Sequence, residues 1–222
     1  KTAVTDTYTT GDALTYVVAL TNSGTVPFNN LTLTDDLGAY PFGTATLVPL
    51  TYVTGSVRYF VNGVLQPAPT VTAAENLEIS GINLPADSTA TFIYEATANE
   101  FAPIAAGSVI TNTASVNGGV GVGVITATAQ ITVNEEPRLT IAKAVCPAVI
   151  TDNSELTYTL IVQNLGNTPI AATDGVIVSD VFNPILSDVT VTLDGTTLAE
   201  GTGYTYDEAT GAFATTDGTV TV

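Results

Sequence analysis

Apolar and polar residues alternate along most of the chain with the period of two that is typical of half-buried β-strands. The alternating runs are short, and residues that favour turns, namely Gly, Pro, Asn and Asp, separate them. Strands are predicted over residues 13–20, 30–34, 56–61, 90–96, 109–116 and 125–133, and the last two are joined by the glycine-rich turn at 118–123. No stretch has the spacing of an amphipathic helix, so the pattern predicts an all-β sandwich.

A short series of motifs occurs twice in the same order, which predicts two related domains in tandem. Lys1 precedes Tyr16 by fifteen residues, and Lys143 precedes Tyr158 by the same number. Residues 22–27 then match residues 164–169, and residues 33–35 match residues 178–180 after a three-residue insertion. We therefore predict one domain over residues 1–134, a short linker at 135–137 and a second domain over 138–222.

The second copy is shorter than the first, and short for a sandwich of about 100 residues. It contains no counterpart of residues 84–87 or of the Thr-Asn-Thr-Ala segment at residues 111–114. We therefore expect the second copy to be incomplete and to lack its last strands. Either a longer array of repeats supplies them, or a strand from another molecule adds to the open edge.

Composition and charge exclude several classes of function. The 222 residues include 4 Lys+Arg and 21 Asp+Glu, which gives a formal net charge of −17. Such a chain has too few cations to neutralise the phosphates of a nucleic acid or to dock on an anionic membrane surface. The absence of His excludes a Ser-His-Asp site, a Cys-His site and an imidazole zinc site. One Cys cannot form an internal disulfide, and no apolar run is long enough for membrane insertion.

The order of the motifs resembles the "conserved repeat" domain of bacterial surface proteins, also called domain of unknown function eleven. The matching segments are Lys1-Thr2-Ala3-Val4, Gly11-Asp12-Ala13-Leu14-Thr15-Tyr16, Thr21-Asn22-Ser23-Gly24, Leu33-Thr34-Asp35-Asp36-Leu37 and Asn112-Thr113-Ala114-Ser115-Val116. They cover nearly all of residues 1–134 and the front of the second copy, where Ser154-Glu155 replaces Gly-Asp. The resemblance implies tandem Ig-like sandwiches outside a bacterial cell, similar to pilin and adhesin domains that contain Lys–Asn isopeptide bonds.

The resemblance further implies a self-made isopeptide bond in the first copy, with Lys1 as nucleophile, Asn112 as electrophile and Asp35 as the acid. In an apolar interior the lysine amine becomes neutral and can attack the asparagine amide, while the acid polarises the carbonyl and transfers protons. Ammonia leaves, and the reaction is one autocatalytic turnover. Lys143 and Asp180 are the equivalent pair of the second copy, whose Asn would lie beyond residue 222 or on a neighbouring molecule.

Other interpretations stay open for the polar residues. Lys1 can instead be a frayed, solvated N-terminal residue. Glu95 is a second candidate for the acid, although a solvent-facing strand residue explains it better. The Asp35-Asp36 pair and the segment 151–155 offer oxygen ligands to calcium, but neither spacing fits an EF-hand loop, and solvated turns explain both better. No other cofactor or metal is expected.

We expect structural roles for the single cysteine and for three of the tyrosines. Cys146 is expected to be a small buried hydrophobe, with an intermolecular disulfide as the alternative in an oxidising setting. Tyr16, Tyr94 and Tyr158 are expected to pack in the core of the sandwich or at its corner.

These features predict a structural subunit or stalk of an extracellular bacterial fibre, such as a pilus or a spore appendage. Its partners would be copies of itself or other surface subunits, with strand exchange between them. The alternative is an adhesin module that binds a host protein or a glycan through loops or strand edges. Beyond the self-crosslinking step we do not expect an enzyme, since the sequence contains no other acid–base arrangement.

Overall fold

The computed structural model describes residues 1–118, 122–151 and 154–222, and nearly all of its regular structure is β-strand. The chain divides into two compact units, Lys1–Asn134 and Glu135–Val222. The prediction of an all-β fold is confirmed, since the helical structure of the described residues is limited to a 3-10 turn at Ala172–Asp174. No helix in these residues is long and apolar enough to cross a membrane. The centre of the predicted glycine-rich turn, residues 119–121, lies outside the described residues.

Two six-stranded sheets form the first unit, which has the predicted Ig-like sandwich architecture. The first sheet consists of β1 (Thr2–Ala3), β3 (Ala13–Asn22), β7 (Leu50–Tyr52), β8 (Arg58–Val61), β9 (Val64–Leu65) and β12 (Ser88–Ala98). Its strand order is β1-β3-β12-β8-β9, and β7 also pairs with β12. The Asn62-Gly63 turn joins β8 to β9 with positive φ at both residues, as a tight hairpin requires.

The second sheet consists of β2 (Thr7–Tyr8), β4 (Phe28–Asp35), β10 (Thr70–Ala73), β11 (Leu77–Leu84), β13 (Val109–Asn117) and β14 (Val124–Val133). Its strand order is β10-β11-β4-β13-β14-β2. β4 therefore lies between β11 and β13, and Asp35 is opposite Leu77 on one side and Ala114 on the other. A separate small hairpin pairs β5 (Tyr40–Phe42) with β6 (Ala45–Leu47).

The core of the first unit is formed by the inward-facing residues of both sheets. Tyr16 and Phe92 come from the first sheet, and Leu33, Ile79 and Ile131 come from the second. All five are almost completely buried. The alternation in the sequence thus has the expected cause, because burying one face of each sheet is the main favourable contribution to folding.

The second unit is less regular than the first. It contains β15 (Leu139–Cys146), β16 (Thr157–Asn164), β17 (Ser179–Val181), β18 (Thr192–Leu193), β19 (Thr196–Thr197), β20 (Tyr204–Asp207) and β21 (Ala212–Thr215). β15 pairs with β16, β18 pairs with β19, and the third sheet has the order β17-β21-β20. Its buried apolar cluster is Phe182, Tyr204 and Phe213, against which Tyr158 packs, as predicted for that tyrosine.

Cys146, the last residue of β15, is free and exposed. The expectation of a small buried hydrophobe is therefore wrong. The physical reason is that every residue of β15 is exposed, so this strand offers no interior position to the thiol.

Candidate crosslinking site

Both sheets of the first unit contribute polar residues to one buried site. Lys1 directly precedes β1, whose Ala3 pairs with Tyr16 of β3. Asp35 is the last residue of β4, and the neighbouring β13 places Ala114 opposite it. Asn112 lies two residues from Ala114, and both are buried on the same inward face of β13. The site thus lies in the interior between the two sheets.

Lys1 and Asp35 form a buried ion pair. The Lys1 Nζ atom lies 2.5 Å from Asp35 Oδ2, and both side chains are 0% exposed. The same Nζ lies 5.1 Å from the centre of the Tyr16 ring, within range of a cation–π contact. Burial lowers the pKa of the Lys1 amine below its ordinary value of 10.5, while the charge of Asp35 opposes that decrease. The interpretation of Lys1 as a solvated N-terminal residue is therefore wrong.

Asp35 is completely buried, and hydrogen bonds hold both of its oxygens. The Tyr94 hydroxyl donates a hydrogen bond of 2.6 Å to Oδ2, the oxygen that also faces Lys1. The backbone N–H of Leu37 donates one of 3.1 Å to Oδ1. The carboxyl group is thus fixed in position between the amine and the core.

Calcium is a poor fit to Asp35 and Asp36, because their oxygens already accept hydrogen bonds from the protein. Asp36 Oδ1 accepts the backbone N–H groups of Gly38 and Thr113 at 2.9 and 2.8 Å. Across the described residues, no group of three or more potential metal-binding side chains comes together. The other calcium candidate, the segment 151–155, lies partly outside the described residues, since 152 and 153 are not among them.

Asn112 is 0% exposed, and neither its Oδ1 nor its Nδ2 atom has a hydrogen-bond partner. Burying an amide without partners costs about 1–3 kcal/mol on the scale of protein mutations. Native proteins seldom leave such a group unpaired. The hydrogen bonds of the fold thus leave the buried Asn112 carboxamide without a partner.

Two tyrosines complete the site. Tyr94 of β12 pairs directly with Tyr16 of β3, and their rings stack with centroids 5.6 Å apart. Burial raises the pKa of both hydroxyls, and the negative charge of Asp35 raises it further. The Asn112 side chain opposes the increase in pKa for both tyrosines.

The sequence predicts both of these tyrosines as core residues but does not assign them to the site. Their alternation with polar neighbours on two separate strands indicates the buried face, and this is the only signal available. The pairing of β3 with β12 brings the two rings together, and the contact of Tyr94 with Asp35 crosses from one sheet to the other.

Glu95, the other candidate for the acid, follows Tyr94 in β12 and is exposed. Successive residues of a strand point to opposite faces, so a buried Tyr94 directs Glu95 to solvent. The interpretation of Glu95 as a solvent-facing strand residue is confirmed.

A similar but more open pair occurs in the second unit. Lys143 Nζ lies 2.6 Å from Asp180 Oδ2, and the side chains are 42% and 17% exposed. The amine lies 4.8 Å from the centre of the Tyr158 ring and 5.3 Å from that of Phe182. The second unit therefore contains counterparts of the lysine, the acid and the aromatic residue of the first site. Its ion pair is partly exposed, whereas that of the first site is buried.

The loops after β3 and β16 also share their hydrogen bonds. Asn22 Nδ2 donates to the carbonyl of Val26 at 2.9 Å, and Asn164 Nδ2 donates to that of Thr168 at 2.7 Å. In both loops the Oδ1 atom accepts the N–H of the glycine two residues later. The matched segments of the sequence thus adopt matched local structures.

No protein-family model and no curated protein matches this chain. Among solved structures, the pilus backbone of Streptococcus pneumoniae is 15% identical, covering 51% of this chain and 26% of that one, with a TM-score of 0.40. The major pilin subunit of Bacillus cereus is 11% identical, with coverages of 96% and 52% and a TM-score of 0.44. The pilus 2b backbone protein of group B streptococcus is 14% identical, with coverages of 73% and 78% and a TM-score of 0.43.

This chain thus spans about a quarter of the pneumococcal protein and about half of the Bacillus cereus pilin. Membership of the conserved-repeat family stays a prediction. At such low sequence identities and TM-scores, the function has to be inferred from the buried site itself.

Proposed function

We propose that this chain is a structural subunit of an extracellular bacterial fibre or surface stalk, and that an isopeptide bond between Lys1 and Asn112 locks its first domain. One observation carries the proposal: a completely buried Lys1–Asp35 ion pair lies in the same core as a completely buried Asn112 amide without hydrogen bonds. A site that is closed to solvent cannot serve a soluble substrate. Its chemistry acts on the chain itself.

The fold supplies each component of the crosslinking reaction. A proton passes from Lys1 Nζ to Asp35, which leaves a neutral amine and a protonated acid. The amine attacks Cγ of Asn112, Asp35 gives its proton to Nδ2 and takes the second proton from the attacking nitrogen, and the Cγ–Nδ2 bond breaks, so that Asp35 ends protonated beside a neutral amide. One ammonia leaves for each amide bond formed, so atoms and charge balance. Holding the reacting groups in place supplies much of the rate.

The bond would join the residue before the first strand to a strand of the opposite sheet. Closing a loop of roughly 100 residues stabilises a fold by about 4.7 kcal/mol in the chain-entropy model. More important for a stalk, a covalent tie between the sheets keeps β1 from peeling away under tension. A fibre subunit needs this kinetic resistance more than it needs equilibrium stability.

Intact-mass spectrometry of the folded protein tests the bond. The wild-type mass is expected to fall below the sequence mass by one ammonia, and a peptide containing both Lys1 and Asn112 should survive proteolysis. Lys1→Ala and Asn112→Ala are the matched controls, and each should show its full sequence mass. A wild-type protein that folds and keeps its full mass rejects the bond.

For the second unit, the proposal is that Lys143 and Asp180 form the acceptor half of a crosslink. β17 pairs with β21 as β4 pairs with β11, since Asp180 is opposite Phe213 where Asp35 is opposite Leu77. In the first unit, the other edge of β4 pairs with β13, which contains Asn112. Within the described residues, β17 has only the β21 partner. An Asn-containing strand at its other edge would place a carboxamide beside Lys143 and allow strand exchange between subunits.

Denaturing electrophoresis tests strand exchange between copies of this chain. Wild-type protein incubated at high concentration should form oligomers that resist detergent and heat, each one ammonia lighter per additional bond. Lys143→Ala should abolish these oligomers, while Lys1→Ala should leave them intact. A wild-type sample that stays monomeric rejects exchange between copies of this chain.

A further inference from the structure

The Tyr16 hydroxyl is an unexplained polar group in the core of the first unit. Its side chain is completely buried, and its oxygen has no hydrogen-bond partner. The other three buried tyrosines of that core each donate a hydrogen bond: Tyr8 to the Pro103 carbonyl at 2.6 Å, Tyr59 to the Asn83 carbonyl at 2.7 Å and Tyr94 to Asp35 at 2.6 Å. A buried hydroxyl usually has a partner, so the exception at Tyr16 calls for a reason.

The surroundings of Tyr16 supply that reason. Lys1 Nζ lies over its ring at 5.1 Å from the centre, and the ring stacks on Tyr94. Neither polar atom of the Asn112 side chain, which is completely buried in the same unit, has a partner. Tyr94 is already committed to Asp35, which leaves the Tyr16 hydroxyl as the donor that is free to serve the amide.

We propose that Tyr16 is a catalytic residue of the crosslinking reaction, whose hydroxyl donates a hydrogen bond to Asn112 Oδ1 while Lys1 attacks Cγ. Attack places negative charge on Oδ1, and a donor fixed in a dry core stabilises that charge without reorganising. The hydroxyl keeps its proton throughout, so the proton balance between Lys1, Asp35 and the departing ammonia is unchanged. This inference rests on the isopeptide bond proposed above.

Burial and the charge of Asp35 favour the protonated form of Tyr16, because both raise the pKa of its hydroxyl. The group therefore stays a donor across the pH range in which the protein folds. Removing a comparable donor from an enzyme that stabilises an oxyanion costs about 10²–10³-fold in rate.

A structural role and a catalytic role predict opposite results for Tyr16→Phe. The variant keeps the ring, its stacking and its contact with the amine, and it removes an oxygen that bonds to nothing. Removing a hydroxyl that has a hydrogen-bond partner lowers the stability of the fold. Removing a buried hydroxyl without a partner leaves that stability unchanged or increases it. Tyr8→Phe is the matched control, because it removes a hydroxyl that has a partner elsewhere in the same core.

The rate of crosslinking tests the proposal. Protein made in a cell-free system is sampled over time, and intact-mass spectrometry gives the fraction that has lost one ammonia. Tyr16→Phe should crosslink on the order of 10²-fold more slowly than wild type, and Tyr8→Phe should match the wild-type rate. Urea unfolding in an Asn112→Ala background, which cannot crosslink, should show that Tyr16→Phe is as stable as its parent or more stable.

The outcomes separate this inference from the proposed function. Equal crosslinking rates for wild type and Tyr16→Phe overturn the role of Tyr16, as does a loss of stability as large as that of Tyr8→Phe. A wild-type protein that never loses ammonia overturns the isopeptide bond itself.

Discussion

At the scale of single residues, the first unit places two opposite charges in a core that excludes water. Desolvating such a pair is costly, and removing one partner leaves an uncompensated buried charge. The pair is therefore a poor choice for stability alone. It becomes reasonable if the amine is consumed by a covalent bond, because the finished crosslink contains no charge at Lys1.

Asp35→Asn should abolish the crosslink; in an Asn112→Ala background, which cannot crosslink and keeps the ion pair, it should destabilise the first unit by about 3–5 kcal/mol, the cost of leaving one member of a buried ion pair without its partner. Intact mass and urea unfolding measure the two effects. Lys1→Met combined with Asp35→Asn should recover part of the lost stability, since no charge then remains in the core. A double variant that is less stable than the Asp35→Asn variant would contradict the ion pair as the cause.

The buried tyrosines predict that stability falls at alkaline pH. Burial raises the pKa of Tyr94 above the value of about 10 for an unfolded tyrosine, so the folded protein holds its proton longer. The contribution is complete below pH 10 and is lost above it, by about 1.4 kcal/mol per pH unit for each such tyrosine. A crosslinked Lys1 does not titrate and adds nothing to this slope.

Urea midpoints between pH 8 and about 11.5 measure the slope above the tyrosine pKa. Tyr94→Phe should make the slope shallower, because it removes one of the buried tyrosines whose pKa is raised in the folded protein. Equal slopes for wild type and Tyr94→Phe would show that Tyr94 does not titrate as its burial requires.

How much of the site the sequence predicts depends on the kind of information involved. The motif order places Lys1, Asp35 and Asn112, and the structure buries all three side chains. Alternation also predicts the burial of Tyr16 and Tyr94. It cannot predict that Tyr94 donates to Asp35, because a period of two gives the face of a strand and not its partner in the opposite sheet.

At the scale of elements, the predicted strands of the first unit are confirmed, but the eight-residue β11 and several shorter strands are missed. The buried residues of β11 are Leu77, Ile79, Ile82 and Leu84, so the period of two slips by one residue after Ile79. The slip coincides with Gly81, which has a φ of 77°, and with a break in the β11–β4 register. A bulge at a glycine explains both, and it removes the alternation on which the prediction depends.

The loop after β3 offers a test at this scale. Asn22 is buried, and its Nδ2 atom donates to the carbonyls of Val26 and Pro85 at 2.9 and 2.8 Å, which ties together the loops that follow β3 and β11. Asn22→Ala should lower the free energy of unfolding of the first unit by about 1–3 kcal/mol, because two hydrogen bonds of about 0.5–1.5 kcal/mol each are lost. Urea unfolding measures the loss. Thr21→Ala, at the exposed neighbouring position, should have a much smaller effect.

At the scale of the whole molecule, scarce cations are concentrated at the two lysine–aspartate pairs. The chain has 4 Lys+Arg and 21 Asp+Glu, and Lys1 and Lys143 are two of those four basic residues. Both pair with an aspartate and lie over an aromatic ring. With a net charge of −17, most charged groups of the chain are acidic, which favours solubility and repulsion between unpaired copies.

The two units should also differ in stability. The buried core of the first unit draws on both of its sheets, whereas the buried cluster described in the second unit is Phe182, Tyr204 and Phe213. Every residue of β15 is exposed, and its described pairing is with β16 alone. Since amide protection follows burial and cooperative packing, the second unit should open at much lower free energy than the first.

Hydrogen exchange with mass spectrometry measures this difference directly. Peptides from β3 and β12 should retain deuterium protection for orders of magnitude longer than peptides from β15 and β16, because only the former pair lies in a six-stranded sheet with a buried face. Asn112→Ala should shorten protection in the first unit without changing β15 and β16. Equal protection of the two units in the monomeric wild-type chain would contradict the prediction.

If the second unit accepts a strand, protection of β16 and β17 should rise in crosslinked oligomers and stay low in Lys143→Ala.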